Sequence, residues 1–307
     1  MSLDLTGLMV AQVTPFGVGG AGVDLDWLPA HIAWLDGQGV SSILTLGTNG
    51  EGPSVGLAER RRVVEAVAAQ RDALGGGLGV VAGAGCLALP DTIRAANEAL
   101  DAGADAVALL PSHFYDNTDA AGQVHYFSSV IEALPAQARV LLYNIPPRTK
   151  MDIADEVVLA LLELFGEQVI GIKDSCGDVA RTQRYIDATA DVESFVVLAG
   201  ADHVHAELYA AGCGGGVSGM ANAIPALAIA IQSTFRRGGD AGRAQRQLNA
   251  VKDMVQSFQP VGALKSLIGI TSGLPVPHCR PPNRDLSPQE SAAFEEAIGR
   301  FLAGAPA

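Results

Sequence analysis

Eight short apolar runs recur along the first two thirds of the chain, and helical patterns lie between them. The runs are mostly continuous rather than alternating, as expected for parallel strands that helices cover on both faces. Several helical segments end in glycine, which adopts the left-handed conformation past a helix end at little cost. The predicted strands are residues 8–14, 41–46, 78–82, 106–110, 140–143, 169–173, 195–198 and 216–218.

Eight strand–helix units of similar length predict an α/β fold, a closed (β/α)8 TIM barrel over residues 1–222. An open doubly wound sheet is the alternative that the pattern leaves. After residue 222 the strand signal ends and four helical patterns follow. Residues 223–307 are therefore predicted to form a C-terminal helical extension packed on the barrel.

The net charge and the spacing of the cysteines indicate which binding partners and which cellular compartment the protein can have. The net charge of −13 argues against nucleic acid, because no basic patch is present to release its counterions. The sequence contains no uninterrupted apolar stretch of about 18 residues, so it predicts no membrane span. The N-terminus also lacks the basic start of a signal peptide. The four cysteines are widely spaced without a CxxC pair, which favours free thiols in a reducing compartment. We therefore expect a cytoplasmic protein.

In a barrel of this kind, catalytic groups lie at the carboxyl ends of the strands. Lys173 closes the apolar strand VIGIK and should lie at the barrel mouth. Burial there disfavours the ammonium form, and a neutral amine can attack a ketone to form an imine. The alternative is a structural ion pair with the adjacent Asp174.

The neighbouring strand ends offer groups that the same reaction needs. Tyr143 could transfer protons, and Thr48 could hydrogen-bond its phenol. The backbone of the GTNGE turn and the Asn49 side chain could bind a small carboxylate. Arg148 follows two prolines and suits bidentate capture of a carboxylate. Each has a structural alternative by itself, but their convergence predicts a catalytic site.

Two competing motifs are weaker. Residues 83–88 fit the loose GxGxxA pattern of a dinucleotide loop, but Pro90 and Asp91 place the helix start after the glycines. His203 and His205 form an HxH pair on a predicted helix, where residues two apart do not face each other. The sequence therefore predicts no metal site and no dinucleotide cofactor.

The motifs together resemble the dihydrodipicolinate synthase and N-acetylneuraminate lyase superfamily of class I pyruvate aldolases. The resemblance covers nearly the whole chain and rests on the order of VTPF, GTNGE, LLP…FY, YNIPPRT, GIKDS, LAGAD and GVSGMAN.

The resemblance implies a barrel with a helical extension, assembled as a homotetramer of paired dimers. Lys173 matches the Schiff-base lysine and Tyr143 the proton-relaying tyrosine. Thr48 matches the threonine that links Tyr143 to a second tyrosine. Tyr115 matches this second tyrosine, which the neighbouring subunit contributes in the family.

The resemblance also implies the substrate contacts. Thr48 and Asn49 lie where the family binds the pyruvate carboxylate, and Val217 lies at a further pyruvate-contact position. Arg148 matches an arginine that holds the carboxylate of the second substrate. No cofactor is implied beyond the covalent imine on Lys173, and the partners are pyruvate and a small aldehyde or 2-oxo acid.

Several residues depart from the dihydrodipicolinate synthase pattern. Asn49 replaces the second threonine of GTTGE, and KDSCGDV looks like the 4-hydroxy-2-oxoglutarate aldolase group. Ser175 would then contact the second half of the substrate, although that group often lacks an arginine at the position of Arg148. Leu87 and Phe114 replace polar residues of the lysine-feedback site, so we expect no lysine inhibition.

The resulting prediction is an aldolase that cleaves or forms a hydroxylated 2-oxo acid of the 4-hydroxy-2-oxoglutarate or 2-keto-3-deoxy sugar acid type. The alternatives are a 4-hydroxy-tetrahydrodipicolinate synthase that condenses pyruvate with aspartate semialdehyde, a sugar-acid dehydratase, and a non-catalytic protein that binds a 2-oxo acid.

Overall fold

The structure is a computed structural model that describes residues 3–304. Eight parallel strands form a closed barrel in which each strand pairs with the next along the chain and the last returns to the first. This closure confirms the (β/α)8 barrel and excludes the open sheet. The strands are β1 (Leu8–Ala11), β2 (Ser42–Thr45), β3 (Gly79–Gly83), β4 (Ala106–Leu109), β5 (Val140–Asn144), β6 (Val169–Asp174), β7 (Val196–Ala199) and β8 (Gly215–Ser218).

Helices surround the barrel, and the residues at their ends explain several of the boundaries. The Asp119 and Asp178 carboxylates accept backbone N–H groups at two helix starts, and Ser287 forms a capping box with Glu290 at a third. The helices are α1 (Trp27–Gly37), α2 (Leu57–Ala73), α3 (Leu89–Asp101), α4 (Ala120–Ile131), α5 (Pro146–Thr149), α6 (Asp155–Phe165), α7 (Val179–Ala188), α8 (His205–Ala211), α9 (Pro225–Arg236), α10 (Gly242–Gln256), α11 (Pro260–Ser272) and α12 (Pro288–Leu302).

Within residues 3–304, every helix is too short or too polar to span a lipid bilayer.

The first strand is shorter than the sequence predicts. Residues 13 and 14 leave the ladder because the Val13 N–H donates to the side-chain oxygen of Asn222, at 3.0 Å. The Asn222 amide in turn donates to the Ala11 carbonyl at 2.7 Å. One buried amide thus takes over backbone hydrogen bonds that a neighbouring strand would otherwise make, and the strand ends there.

The strand register places the reactive candidates side by side. Tyr143 pairs with Lys173 across β5 and β6, and Asn144 pairs with Asp174. Because side chains alternate along a strand, the first pair points into the barrel and the second points toward the helices.

The helices after β8 complete the outer ring of the barrel and extend it. Helix α9 packs against β1 and β8, where a (β/α)8 barrel has its eighth helix. Helix α10 then packs against α9, α11 and α12. The division of the chain at residue 222 stays a prediction, since α9 closes the outer ring and the three later helices extend it.

A buried ion pair joins this extension to the turn after β2. The Lys265 ammonium on α11 donates to Glu51 at 2.6 Å and to the carbonyls of Thr14 and His278 at 2.7 and 2.6 Å. The other Glu51 oxygen accepts from the Asn283 amide at 3.0 Å. The two side chains are 1% and 0% exposed, so both charges depend on these contacts for solvation.

We predict that Lys265→Met lowers the free energy of unfolding by about 3–5 kcal/mol, because Glu51 is left buried without its partner. Urea denaturation measures the loss. Arg61→Gln is the control, since its pair with Glu65 is solvent-exposed and its removal should cost less than about 1 kcal/mol. Equal losses in the two variants would contradict the prediction, and the double variant Glu51→Gln/Lys265→Met should be more stable than Lys265→Met alone.

Candidate active site

A cavity of about 290 Å³ opens at the carboxyl ends of the strands. Its walls come from the ends of β5, β6 and β8, from the loops that follow the strands, and from α10 and α11. All but one of the predicted site residues line it, namely Thr48, Asn49, Tyr143, Arg148, Lys173, Ser175 and Val217.

Lys173 is buried in this cavity without a carboxylate partner. Its side chain is 3% exposed, and its Nζ lies 4.0 Å from the centre of the Tyr143 ring. Asp174 points away from the cavity, and its carboxylate accepts from Thr182 Oγ1 at 2.7 Å and from Asn144 Nδ2 at 3.1 Å. No carboxylate oxygen among residues 3–304 lies within 4.0 Å of the Lys173 ammonium. The Lys173–Asp174 ion pair considered from the sequence does not form.

The Tyr143 hydroxyl is hydrogen-bonded to the Thr48 hydroxyl, at 3.0 Å. Tyr143 is 4% exposed, whereas Thr48 is exposed at the mouth of the cavity. Lys173 therefore lies against the Tyr143 ring, and the Tyr143 hydroxyl reaches Thr48 at the mouth, so that a phenol able to donate or accept a proton stands beside the amine.

The turn that carries Thr48 and Asn49 is tightly constrained. Its flanking residues Leu46 and Glu51 adopt left-handed backbone conformations, with φ of 58° and 50°. Gly50 has no room for a side chain, because a Cβ would lie 2.9 Å from the Gln12 carbonyl oxygen. A backbone held in sparsely populated conformations requires strong supporting contacts, and the ion pair of Glu51 supplies them.

Asn49 occupies space that Gly219 leaves free. A Cβ at Gly219 would lie 2.0 Å from the Asn49 amide nitrogen. The segment after β8 is held by Asp202, which accepts from the Ser218 hydroxyl and from the N–H groups of Gly219 and Met220, the latter two at 3.0 and 3.3 Å. Asp202 was noted from the sequence only as the last residue of LAGAD, and the structure shows that it organises this wall of the cavity.

The remaining predicted contacts lie around the rim. Ser175 donates its hydroxyl to the Gly200 carbonyl at 3.0 Å. Arg148 lies on the short helix α5 with its side chain exposed, and Val217 lies on β8 with 1% exposure. These residues bring one hydroxyl, one guanidinium and one apolar surface to the same opening.

Tyr115 is the predicted site residue that does not reach this cavity. Its side chain is 66% exposed, and its ring contacts Phe114 at 5.4 Å between centroids. Its predicted role in the site of a neighbouring subunit stays a prediction.

Sequence reasoning missed the contribution of the helical extension. Lys252 and Gln256 on α10, together with Pro260 and Leu264 of α11, line the cavity. Nothing local in the sequence points to them, because their orientation depends on how α10 packs over the barrel mouth.

His203 also lines the cavity, on a 3-10 turn at Asp202–Val204 and not on the predicted helix. Partial burial and the nearby Lys252 ammonium lower the pKa of His203. The side chain is therefore neutral at pH 7 and adds no charge to the cavity wall.

Cys176 lies beside the outward-facing Asp174, with its sulfur 3.0 Å from a carboxylate oxygen. Burial and the Asp174 charge raise the pKa of the Cys176 thiol to about 12. The thiol is protonated at neutral pH and is not a second nucleophile of the site.

We predict that Gly219→Ala displaces the Asn49 amide, because the new methyl group would occupy its position. A crystal structure of the variant measures the displacement. Gly37→Ala is the control, since a Cβ there meets no atom within 4 Å and should leave the cavity unchanged. An unmoved Asn49 side chain in Gly219→Ala would contradict the prediction.

Several known proteins are similar to this chain in sequence and in fold. The sequence model of the Dihydrodipicolinate synthetase family matches residues 4–300. A DapA-like lyase of Chloroflexus aurantiacus is 39% identical over 298 residues, which are 97% of each protein. A 4-hydroxy-tetrahydrodipicolinate synthase of Methanothrix thermoacetophila is 31% identical over 273 residues, covering 87% of this chain and 88% of that protein.

One solved structure is similar across its whole length. YagE, a prophage protein of the dihydrodipicolinic acid synthase family from E. coli K12, was solved in complex with pyruvate. It superposes with a TM-score of 0.88 at 26% identity, over 96% of this chain and 98% of that one. The chain belongs to the dihydrodipicolinate synthetase family of aldolases and lyases.

Proposed function

We propose that the protein is a class I pyruvate aldolase that cleaves or forms a hydroxylated 2-oxo acid through an imine on Lys173. The observation that supports this most is the buried Lys173 amine, which lies against the Tyr143 ring without a carboxylate partner. The pyruvate bound to YagE adds support, because that protein shares the family and the fold.

In the proposed cleavage, Lys173 Nζ adds to the ketone carbon of the substrate, and water leaves after protonation by Tyr143. Tyr143 then takes the proton of the C4 hydroxyl. The C3–C4 bond breaks, the aldehyde departs, and the electron pair becomes the enamine on Lys173. Protonation of C3 and addition of water release pyruvate and restore the amine. Thr48 holds the Tyr143 hydroxyl throughout, and the turn at Thr48 and Asn49 binds the carboxylate.

The alternatives differ in the second substrate. A 4-hydroxy-tetrahydrodipicolinate synthase is supported by the name of the Methanothrix relative, and a sugar-acid dehydratase would use the same imine. A non-catalytic 2-oxo-acid binder is disfavoured, because binding alone does not require a buried unpaired amine. Coupled assays on 4-hydroxy-2-oxoglutarate, on 2-keto-3-deoxy sugar acids, and on aspartate semialdehyde with pyruvate separate these functions. If only aspartate semialdehyde is turned over, the proposed cleavage of a hydroxylated 2-oxo acid is excluded.

We predict that borohydride reduction in the presence of pyruvate attaches a stable adduct to Lys173. Peptide mass mapping locates it. Lys173→Met should give no adduct, while Lys150→Arg, at an exposed position outside the cavity, should react like the parent protein. An adduct on another residue, or none, overturns the mechanism.

We also propose the homotetramer of paired dimers. Leu87, Phe114 and Tyr115 are 67%, 73% and 66% exposed on loops that follow β3 and β4. Large apolar side chains on such loops favour a subunit interface beside the barrel mouth. In this arrangement the Tyr115 hydroxyl would join the Thr48–Tyr143 pair of a second copy.

Shared sites can be tested by complementation. We expect Tyr115→Phe and Lys173→Met to have low activity separately and to regain activity when co-expressed, because a mixed dimer contains one intact site. Tyr143→Phe co-expressed with Lys173→Met is the control and should stay inactive, since both residues belong to the same subunit. Absence of recovery in the first pair, with mixed dimers present, would contradict the shared site.

The proposed compartment is the cytoplasm. All four cysteines are free thiols, and two of them are buried, which fits a reducing environment.

A further inference from the structure

One face of helix α10 carries polar side chains and lies along the mouth of the barrel, with burial that decreases from Gln245 to Gln256. Gln245, Asn249, Lys252 and Gln256 recur at intervals of four, three and four residues, which places them on one side of a helix. The buried apolar residues of α10, such as Leu248 and Val255, lie beside this stripe.

The first half of the stripe fixes the helix over the mouth. Gln245 donates to the Asp202 carbonyl at 2.8 Å and accepts from the Ala206 N–H at 2.9 Å. Asn249 donates to the His203 carbonyl at 3.0 Å. These bonds hold α10 to the turn after β7, and they determine where the next turns of the helix point.

The second half of the stripe points into the cavity. Lys252 and Gln256 both line it. Lys252 is half-buried, and its ammonium forms no hydrogen bond or ion pair with any other residue between 3 and 304. The backbone of α10 thus directs the Lys252 side chain toward the cavity, and its ammonium is left available to a ligand there.

The charge of the cavity is opposite to that of the protein. The net charge is −13, yet the cavity is lined by the basic side chains of Arg148, Lys173 and Lys252 and, among residues 3–304, by one carboxylate, that of Asp202. The Asp202 oxygens already accept from Ser218, Gly219 and Met220. Beside the imine-forming Lys173, the cations Arg148 and Lys252 therefore line the same cavity, and they favour a ligand with more than one negative charge.

On the basis of the proposed function, we propose that Lys252, together with Arg148, binds a second acidic group at the end of the substrate distant from the imine. The enzyme would then select a doubly anionic 2-oxo acid whose tail ends in a carboxylate or a phosphate. Aspartate semialdehyde fits less well, because the cavity offers its ammonium group no uncommitted carboxylate. A sugar acid with an uncharged tail would leave Lys252 unpaired.

Three 2-oxo acids of matched length test the selection. The probes are 2-oxoglutarate, 2-oxo-4-phosphonobutanoate and 2-oxopentanoate, which carry a carboxylate, a phosphonate and a methyl group at the same end. Borohydride trapping at increasing concentration gives the half-saturating concentration for the imine on Lys173. We expect at least one acidic probe to saturate at a concentration about 10- to 100-fold lower than 2-oxopentanoate, and the better one identifies the acidic group.

Variants assign the effect to Lys252. In Lys252→Met the ratio of the half-saturating concentration of the neutral probe to that of the acidic probe should fall about tenfold. In Lys252→Arg this ratio should stay close to that of the parent protein, because the positive charge is kept. Arg243→Gln removes a charge from an exposed position of the same helix and should leave the ratio unchanged.

Three outcomes overturn the inference. In the parent protein these are equal half-saturating concentrations for the three probes, or no trapping of any of them. In Lys252→Met it is an unchanged ratio between the neutral and the acidic probe. Pyruvate trapping separates the two proposals. If pyruvate forms no adduct on Lys173, the proposed function itself fails. If pyruvate is trapped but the acidic tail has no effect, only the role of Lys252 fails.

Discussion

The buried pair between Glu51 and Lys265 is the contact on which the active-site arrangement depends. Glu51 ends the turn that presents Thr48 and Asn49, and Lys265 lies on a helix of the C-terminal extension. Two charges that are almost fully excluded from water are costly to separate, so the turn and the extension should stay together in the folded state. The extension therefore contributes to the candidate active site, because it fixes the strained turn against the barrel.

The alternation of a β-strand explains how a reactive amine coexists with a neighbouring carboxylate. Lys173 and Asp174 are adjacent in sequence, but one points into the barrel and the other toward α7. Asp174 accepts hydrogen bonds from Thr182 and Asn144, and Lys173 has no carboxylate partner within the part of the chain that the structure describes. Had both side chains shared a face, an ion pair with Asp174 would occupy the amine that now lines the cavity. This geometry supports the proposed roles of Lys173 as nucleophile and of the adjacent Tyr143 as proton donor.

The two halves of the cavity serve different parts of the proposed substrate. The strand ends supply Lys173, Tyr143 and the Thr48 turn, which suit the 2-oxo acid end of the proposed substrate. Helix α10 supplies Lys252 from outside the barrel, and a helix that packs over the mouth can vary without disturbing the imine chemistry. In this proposal, residues of the extension and of the rim loops select the second part of the substrate, because their side chains face the ligand and not the core.

The sequence by itself determined the barrel and the positions of its strands, because strand and helix periodicity are local patterns. It also indicated Thr48, Tyr143 and Lys173 as site residues, because the carboxyl ends of the strands in a closed parallel barrel converge on one face. It did not determine where the first strand stops, since the distant Asn222 takes over its hydrogen bonds. It also left open whether Lys173 is paired with Asp174. Only the tertiary structure placed Lys252 in the cavity and Lys265 against Glu51, because the direction of a helical side chain depends on long-range packing that no local pattern encodes.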